Sequence, residues 1–255
     1  MANARLLATN LTWASGASVA ASSAATGYPA SNLLSPKRTT VWRSSTSTGD
    51  QTVTGTLASA IAIAAVALVN WKAHSTGGTI KVETKNGGGA YAAFGGGSGL
   101  FTLPATNRTR LVILFGSATA TDVKITYTNV GVANDYVELG VLFVAAYVEP
   151  STNIADALNY TIVDPSIVKR TEGGQRQTWT RTKYLTLQSS WSYLSASDKD
   201  ALLAIYDAVG VGTPIIFALV PTNVDQIVYG YLQTSAAKHE VIDQWTYGPM
   251  FEEAL

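Results

Sequence analysis

Between Gln51 and Val144 the sequence repeats one theme: short runs rich in Val, Ile, Leu, Thr and aromatic residues, separated by clusters of Gly, Asn and Thr. The runs are Gln51–Leu57, Ile61–Trp71, Gly78–Lys85, Leu100–Leu103, Arg110–Phe115, Thr121–Thr128 and Tyr136–Val144. In Thr121–Thr128 the alternation is clean, with Val123, Ile125 and Tyr127 on one face and polar residues between them. Segments this short, this β-branched and this evenly spaced predict antiparallel strands and a β-sandwich.

The second half adds one helix. Ser195 and Ser197 offer an N-terminal cap, Asp198 and Asp200 suit the positive end of the dipole, and Gly210 stops the run. Leu202, Ile205, Tyr206 and Val209 fall on one side, giving the helix a single face to bury. After Gly212-Thr213-Pro214, the run Ile215–Val220 is apolar on both faces and reads as a central strand. Leu158–Val163, Gln177–Trp191 and Ile227–Leu232 read as further strands, and Val241–Leu255 as a last strand and tail. At 255 residues the chain exceeds the usual size of one core, so two domains are expected. Glu149-Pro150 is the expected boundary, giving 1–150 and 151–255.

Before the first runs, residues 1–26 are rich in Ala, Ser and Thr and read as an arm or edge strand. Gly27 to Ser44, with Pro29 and Pro36, reads as a structured loop pinned by Leu33, Leu34 and Trp42. Asn86 to Gly99 carries two glycine triplets around Tyr91 and Phe94 but lacks a Gly-Lys-Ser/Thr ending and opens no helix. It reads as a mobile hairpin tip, or as a contact loop that orders on a partner.

Charge excludes some functions. With 17 basic and 17 acidic residues the formal net charge is zero, which argues against phosphate-driven nucleic-acid binding, sequence-specific recognition included. The distribution is uneven. Residues 169–183 hold Lys169, Arg170, Arg176, Arg181 and Lys183 against Glu172 alone, whereas 184–255 hold two lysines against eight acids. Such segments can pair within a subunit or between neighbours in a ring, and the second case makes Arg170, Arg176, Arg181 and Lys183 candidate oligomer-interface residues. With no cysteine, disulfides and thiolate metal sites are out, and the two histidines, His74 and His239, fall far apart in different expected domains, which argues against a zinc cage or a His-based triad. No metal, no cofactor and no enzyme activity are expected. Asp135 and Glu138 lie near the sandwich end, and Glu138 reads as a structural strand residue rather than a glycosidase carboxylate. Met1–Asn10 lacks an export-type apolar run, and Ala58–Val69 is too short for the ~20 residues that cross a bilayer, so no membrane insertion is expected.

Four blocks carry a resemblance: YPASNLLSPKRTTVWRS, QTVTGTL, AIAAVALVNWKAHSTGGTIKVET and YVELGVLFV, in that order over about residues 20–148. Together they resemble the discoidin or galactose-binding-like jelly roll, which implies a β-sandwich whose end loops, in some relatives, bind sugars. On that resemblance Arg43, His74, Tyr91 and Tyr136 are the candidate carbohydrate-binding residues; Trp42 and Trp71 read as core. The stretch from Asp164 through the helix to Ile227–Leu232 resembles the tail-tube-like domain of bacteriophage distal and minor tail proteins, a β-sandwich with one α-helix. There, Arg170–Gly174 would be a hairpin turn. This resemblance implies a structural, non-enzymatic component of a phage tail tip or baseplate in the virion, assembled in the host cytoplasm. It would form a homo-hexamer, or alternatively a trimer, between the tail tube protein and a hub or fibre. The alternative is a carbohydrate-binding adhesin that contacts host glycans, with the second domain as its mount.

Overall fold

In the computed structural model, two pairs of expected strands are single long ones, Gln51–Val69 and Leu111–Thr128. The residues described are 3–254, apart from 47–48, 73–78, 96–97, 103–110, 129–135, 155–158, 222, 224–225, 235–236 and 242–243. Ala58-Ser59-Ala60 contains neither Gly nor Pro, so nothing breaks the extended backbone there. The ladder between the two long strands shifts register between Thr56 and Ile61 and again between Ile63 and Ala65. Bulges of this kind bend a strand without ending it. The expected strand Tyr136–Val144 does the reverse and divides into Glu138–Leu139 and Val141–Ala145. Gly140 sits between them because a Cβ there would collide with the Arg38 carbonyl.

The chain forms two compact units, residues 1–149 with 215–229, and residues 150–214 with 230–255. This partition departs from a single cut at Glu149-Pro150 by one segment. Ile215–Ala218 is wholly buried and pairs with Arg5–Leu7 of the N-terminal arm, so it belongs with the first unit.

The first unit is built on a seven-stranded sheet. Its order is Val141–Ala145, Gln51–Val69, Leu111–Thr128, Thr79–Lys85 and Ala92–Ala93, with Ser18–Ala21 beside Gln51–Val69 and Leu100–Thr102 beside Thr79–Lys85. A two-residue ribbon, Trp42–Arg43 against Glu138–Leu139, completes the sandwich. Leu33, Trp42, Leu57, Trp71, Ile80, Ile125, Tyr127 and Leu139 meet in one apolar cluster. Trp42 and Trp71 are therefore core, as their sequence context predicts, and Trp42 Nε1–H donates to the Ser23 carbonyl at 2.9 Å. Burial raises the Tyr127 hydroxyl far above its ordinary pKa. Asn10 ties the arm to the sheet: its Nδ2 donates to the Leu142 carbonyl at 2.8 Å, and its Oδ1 accepts from Val144 N at 2.9 Å. The glycine-rich segment differs from the mobile tip expected of it. Phe94 is buried, and Gly116 has no room for a side chain, because a Cβ there would fall 2.6 Å from the Gly95 Cα.

The second unit is also antiparallel. Tyr184–Gln188 lies between Asn159–Val163 and Met250–Glu253, and Gln244–Tyr247 lies between Trp191–Leu194 and Ala237–Val241. Helix Ala196–Val209 starts where the sequence places it: the Ser195 side chain accepts from Asp198 N at 3.2 Å, and Gly210, at φ 56°, ends it. Leu202, Ile205 and Val209 are its buried residues. Ile167–Arg170 and Arg176–Trp179 form a separate two-stranded ribbon. Its turn is the expected Arg170–Gly174 segment, closed by Gly174 N donating to the Thr171 carbonyl at 2.9 Å, with Gly174 at φ 80°. No helix among the described residues is long and apolar enough to cross a membrane.

Candidate functional site

The short ribbon at the sandwich edge places Arg43 directly opposite Glu138. Cross-strand neighbours of opposite charge attract, and here the pair is closed by geometry. Arg43 Nε and Nη2 both donate to Glu138 Oε2, at 3.0 and 2.8 Å. The carboxylate raises the guanidinium pKa above its ordinary value, so Arg43 is a permanent cation. Tyr28, from the Gly27–Ser44 loop, and Tyr136, just before Glu138, lie 4.2 and 4.0 Å from the guanidinium carbon, measured to their ring centroids. On Glu138's backbone side Lys72 completes the group: the two residues exchange backbone hydrogen bonds at 2.8 Å, and Lys72 Nζ is 3.9 Å from the Tyr136 centroid.

Each partner is fixed by something local. Arg43 N donates to the Tyr28 carbonyl at 3.3 Å, which sets the loop against the ribbon. Ser44 anchors the next register position, its Oγ accepting from Val137 N at 2.9 Å. The Arg43 and Glu138 side chains remain 27% and 14% exposed, so the pair can be reached from solvent. Because Oε2 takes both bonds, Arg43 Nη1 and Glu138 Oε1 have no hydrogen-bond partner among the described residues. One ion pair next to tyrosine rings therefore keeps a spare donor and a spare acceptor. That arrangement suits neighbouring hydroxyls, each of which both donates and accepts.

Of the expected sugar-site residues, Arg43 and Tyr136 come together here, and His74 lies outside the described residues. With two cations at its ring, Tyr136 holds Arg43 and Lys72 in place more than it offers a bare platform. Tyr91 joins a different cluster, 4.2 Å from Lys124 Nζ and 5.2 Å from Lys85 Nζ. There Glu83 bridges Lys124 and Lys81, both at 2.8 Å, and these two lysines hold its carboxyl below the usual range. Asp122 takes hydrogen bonds from Thr121 and Thr56 as well as Lys85, so the cluster is closed on itself and serves stability. Tyr28 and Lys72 were not flagged by the sequence, although Tyr28 shares a loop with Arg43.

Among the described residues no group of His, Asp and Glu is placed to hold a metal ion. The expected interface residues Arg170, Arg176, Arg181 and Lys183 all lie in or beside the exposed ribbon of the second unit, where Lys183 reaches Asp164 at 3.3 Å.

No protein-family model matches the sequence, and no curated protein matches it. Several solved structures share part of its geometry. A Ruminococcus gnavus GH29 fucosidase in complex with fucose aligns with 54% of this chain and 26% of its own, at 20% identity and a TM-score of 0.44. Chitosan-binding module 1 of a Paenibacillus chitosanase/glucanase aligns over 54% of this chain and 99% of its own, at 24% identity and a TM-score of 0.43. The family 32 carbohydrate-binding module of Clostridium perfringens NanJ, in complex with galactose, aligns over 55% and 98%, at 17% identity and a TM-score of 0.43.

Proposed function

We propose that the first unit is a carbohydrate-binding module that takes a sugar at the Arg43–Glu138 edge, with no catalytic step. The observation that carries the reading is the guanidinium–carboxylate pair, locked between Tyr28 and Tyr136, with one nitrogen and one oxygen still unbonded among the described residues. The four blocks resembling galactose-binding-like domains support it, since Arg43 and Glu138 fall in two of them. Selectivity would come from the fixed spacing of donor and acceptor. The test is a screen of neutral mono- and oligosaccharides against the intact protein, followed by calorimetry on the best ligand. Arg43→Ala and Glu138→Gln should each weaken binding by about tenfold or more, the cost of about one charge-assisted hydrogen bond. Lys124→Ala should leave it unchanged. Full binding in both edge variants would dismiss the site.

A second reading is a ring-forming structural component of a phage tail tip or baseplate, located in the virion. The observation favouring it is the second unit's ribbon, exposed at every strand position and so suited to burial in an assembly. Rings of six or three chains in electron micrographs of the purified protein would support it, and a monomer in the presence of tail tube protein would oppose it.

A further inference from the structure

The ribbon Ile167–Arg170/Arg176–Trp179 has no core. Every strand residue on both of its faces is exposed, Val168 and Trp179 at 48% and 50%. Two-stranded ribbons are marginal in water unless something covers a face. Its charges point to what covers it: Arg170 lies directly opposite Arg176, a like-charged pair that is destabilising when left alone. Among the described residues neither arginine has a carboxylate partner. At the other end of the ribbon, where Ile167 pairs with Trp179, a cleft of ≈ 360 Å³ is lined by Ile167, Lys169, Trp179, Thr180 and Arg181. The missing partner is therefore anionic along the ribbon, with an apolar group to lie against Ile167 and Trp179.

This chain carries such a surface. On helix Ala196–Val209 the solvent side is Asp200, Ala204, Asp207 and Ala208, spaced so that they share one face, with Val211 just beyond. Asp200 contacts Lys199 at 2.7 Å, yet its side chain is 68% exposed; Asp207 has no cationic partner among the described residues. Ala204 and Ala208 leave the face flat. Tyr193 and Val211, at 68% and 55% exposure, supply apolar anchors at its two ends. The helix has no basic residue in its last turn to offset these acids.

We propose that the ribbon of one copy docks on the exposed helix face of a second copy. Arg170 and Arg176 meet Asp200 and Asp207, and the Trp179 cleft receives an apolar side chain from the helix end. Because the two surfaces differ, the contact is head-to-tail, and repeating it gives a ring or a filament rather than a closed dimer. The proposal is independent of sugar binding and does not need the virion setting.

The test uses two full-length variants, R170E/R176E and D200R/D207R, with mass followed by light scattering. Wild type should associate as concentration rises and dissociate as salt screens the contact. Each variant alone should be a monomer. Mixed in equal amounts they should regain wild-type association as alternating copies, since the native ribbon of one meets the native helix face of the other and the two reversed surfaces are complementary in turn. The milder R170Q/R176Q should weaken association by about tenfold or more. A wild type that stays monomeric at high concentration, variants that associate like wild type, or a mixture that stays monomeric would each overturn the proposal. So would a monomeric wild type retained through its ribbon by heparin, which would identify an anionic polysaccharide as the partner.

Discussion

The edge ribbon Trp42–Arg43/Glu138–Leu139 and the outer ribbon Ile167–Arg170/Arg176–Trp179 are both two-stranded, and each sets an arginine at a cross-strand pair. In the first, Arg43 faces Glu138, Trp42 is buried beneath, and two tyrosines hold the guanidinium. In the second, arginine faces arginine and no strand residue is buried. A paired charge on a packed base is a preorganised site that can select a small ligand. An unpaired charge on an unpacked base is a surface that gains its order from whatever covers it.

Substitutions can break this contrast from the packed side first. Trp42→Ala removes a fully buried ring that donates to Ser23 and lies 6.4 Å from the Tyr127 ring, and should cost about 3–5 kcal/mol in denaturant unfolding. Trp179→Ala, on the outer ribbon, should cost within about 0.5 kcal/mol in the separated chain. Equal losses at the two tryptophans would erase the distinction. Gly140→Ala should cost about 1–3 kcal/mol, because the new Cβ must displace the Arg38 carbonyl. It should also weaken sugar binding, since Gly140 follows the Glu138–Leu139 strand.

Arg43→Lys sharpens the comparison further. It keeps the charge but loses the planar fork that spans Glu138 and a ligand, so affinity should fall nearly as far as in Arg43→Ala while stability shifts by about 1 kcal/mol or less. The smallest effect should be electrostatic. Lys124 and Lys81 lower the Glu83 pKa, so its contribution is full above the ordinary carboxylate pKa and is lost as pH falls through the lowered folded value. Acid titration of Glu83→Gln should therefore show a shallower loss of stability than wild type below about pH 4. A slope equal to that of wild type would mean the lysine bridge adds nothing.

Much of the local structure was legible in the sequence because its causes are local. Ser195, Asp198 and Gly210 mark the helix ends, Gly173-Gly174 the outer turn, and the alternation through Val123, Ile125 and Tyr127 the buried face. What depended on distant partners was not legible. Ala58–Ala60 reads as a gap between strands, and only the ladder to Leu111–Thr128 shows that it is a bend. The apolar run Ile215–Ala218 announces a central strand without saying that Arg5–Leu7 is its neighbour. Phe94 reads as a loop aromatic until the close approach of Gly95 and Gly116 shows how it reaches the core. At the candidate site, Arg43 and Tyr136 could be picked out one by one. Their junction through Glu138, 95 residues along the chain from Arg43, depends on sheet register.

The most direct test of the account is the affinity of Arg43→Ala for the best sugar found with wild type, measured by calorimetry on protein shown to be folded by its unfolding curve. The account predicts a loss of about tenfold or more with stability nearly unchanged. Undiminished affinity would contradict it and move any sugar site away from the Arg43–Glu138 edge.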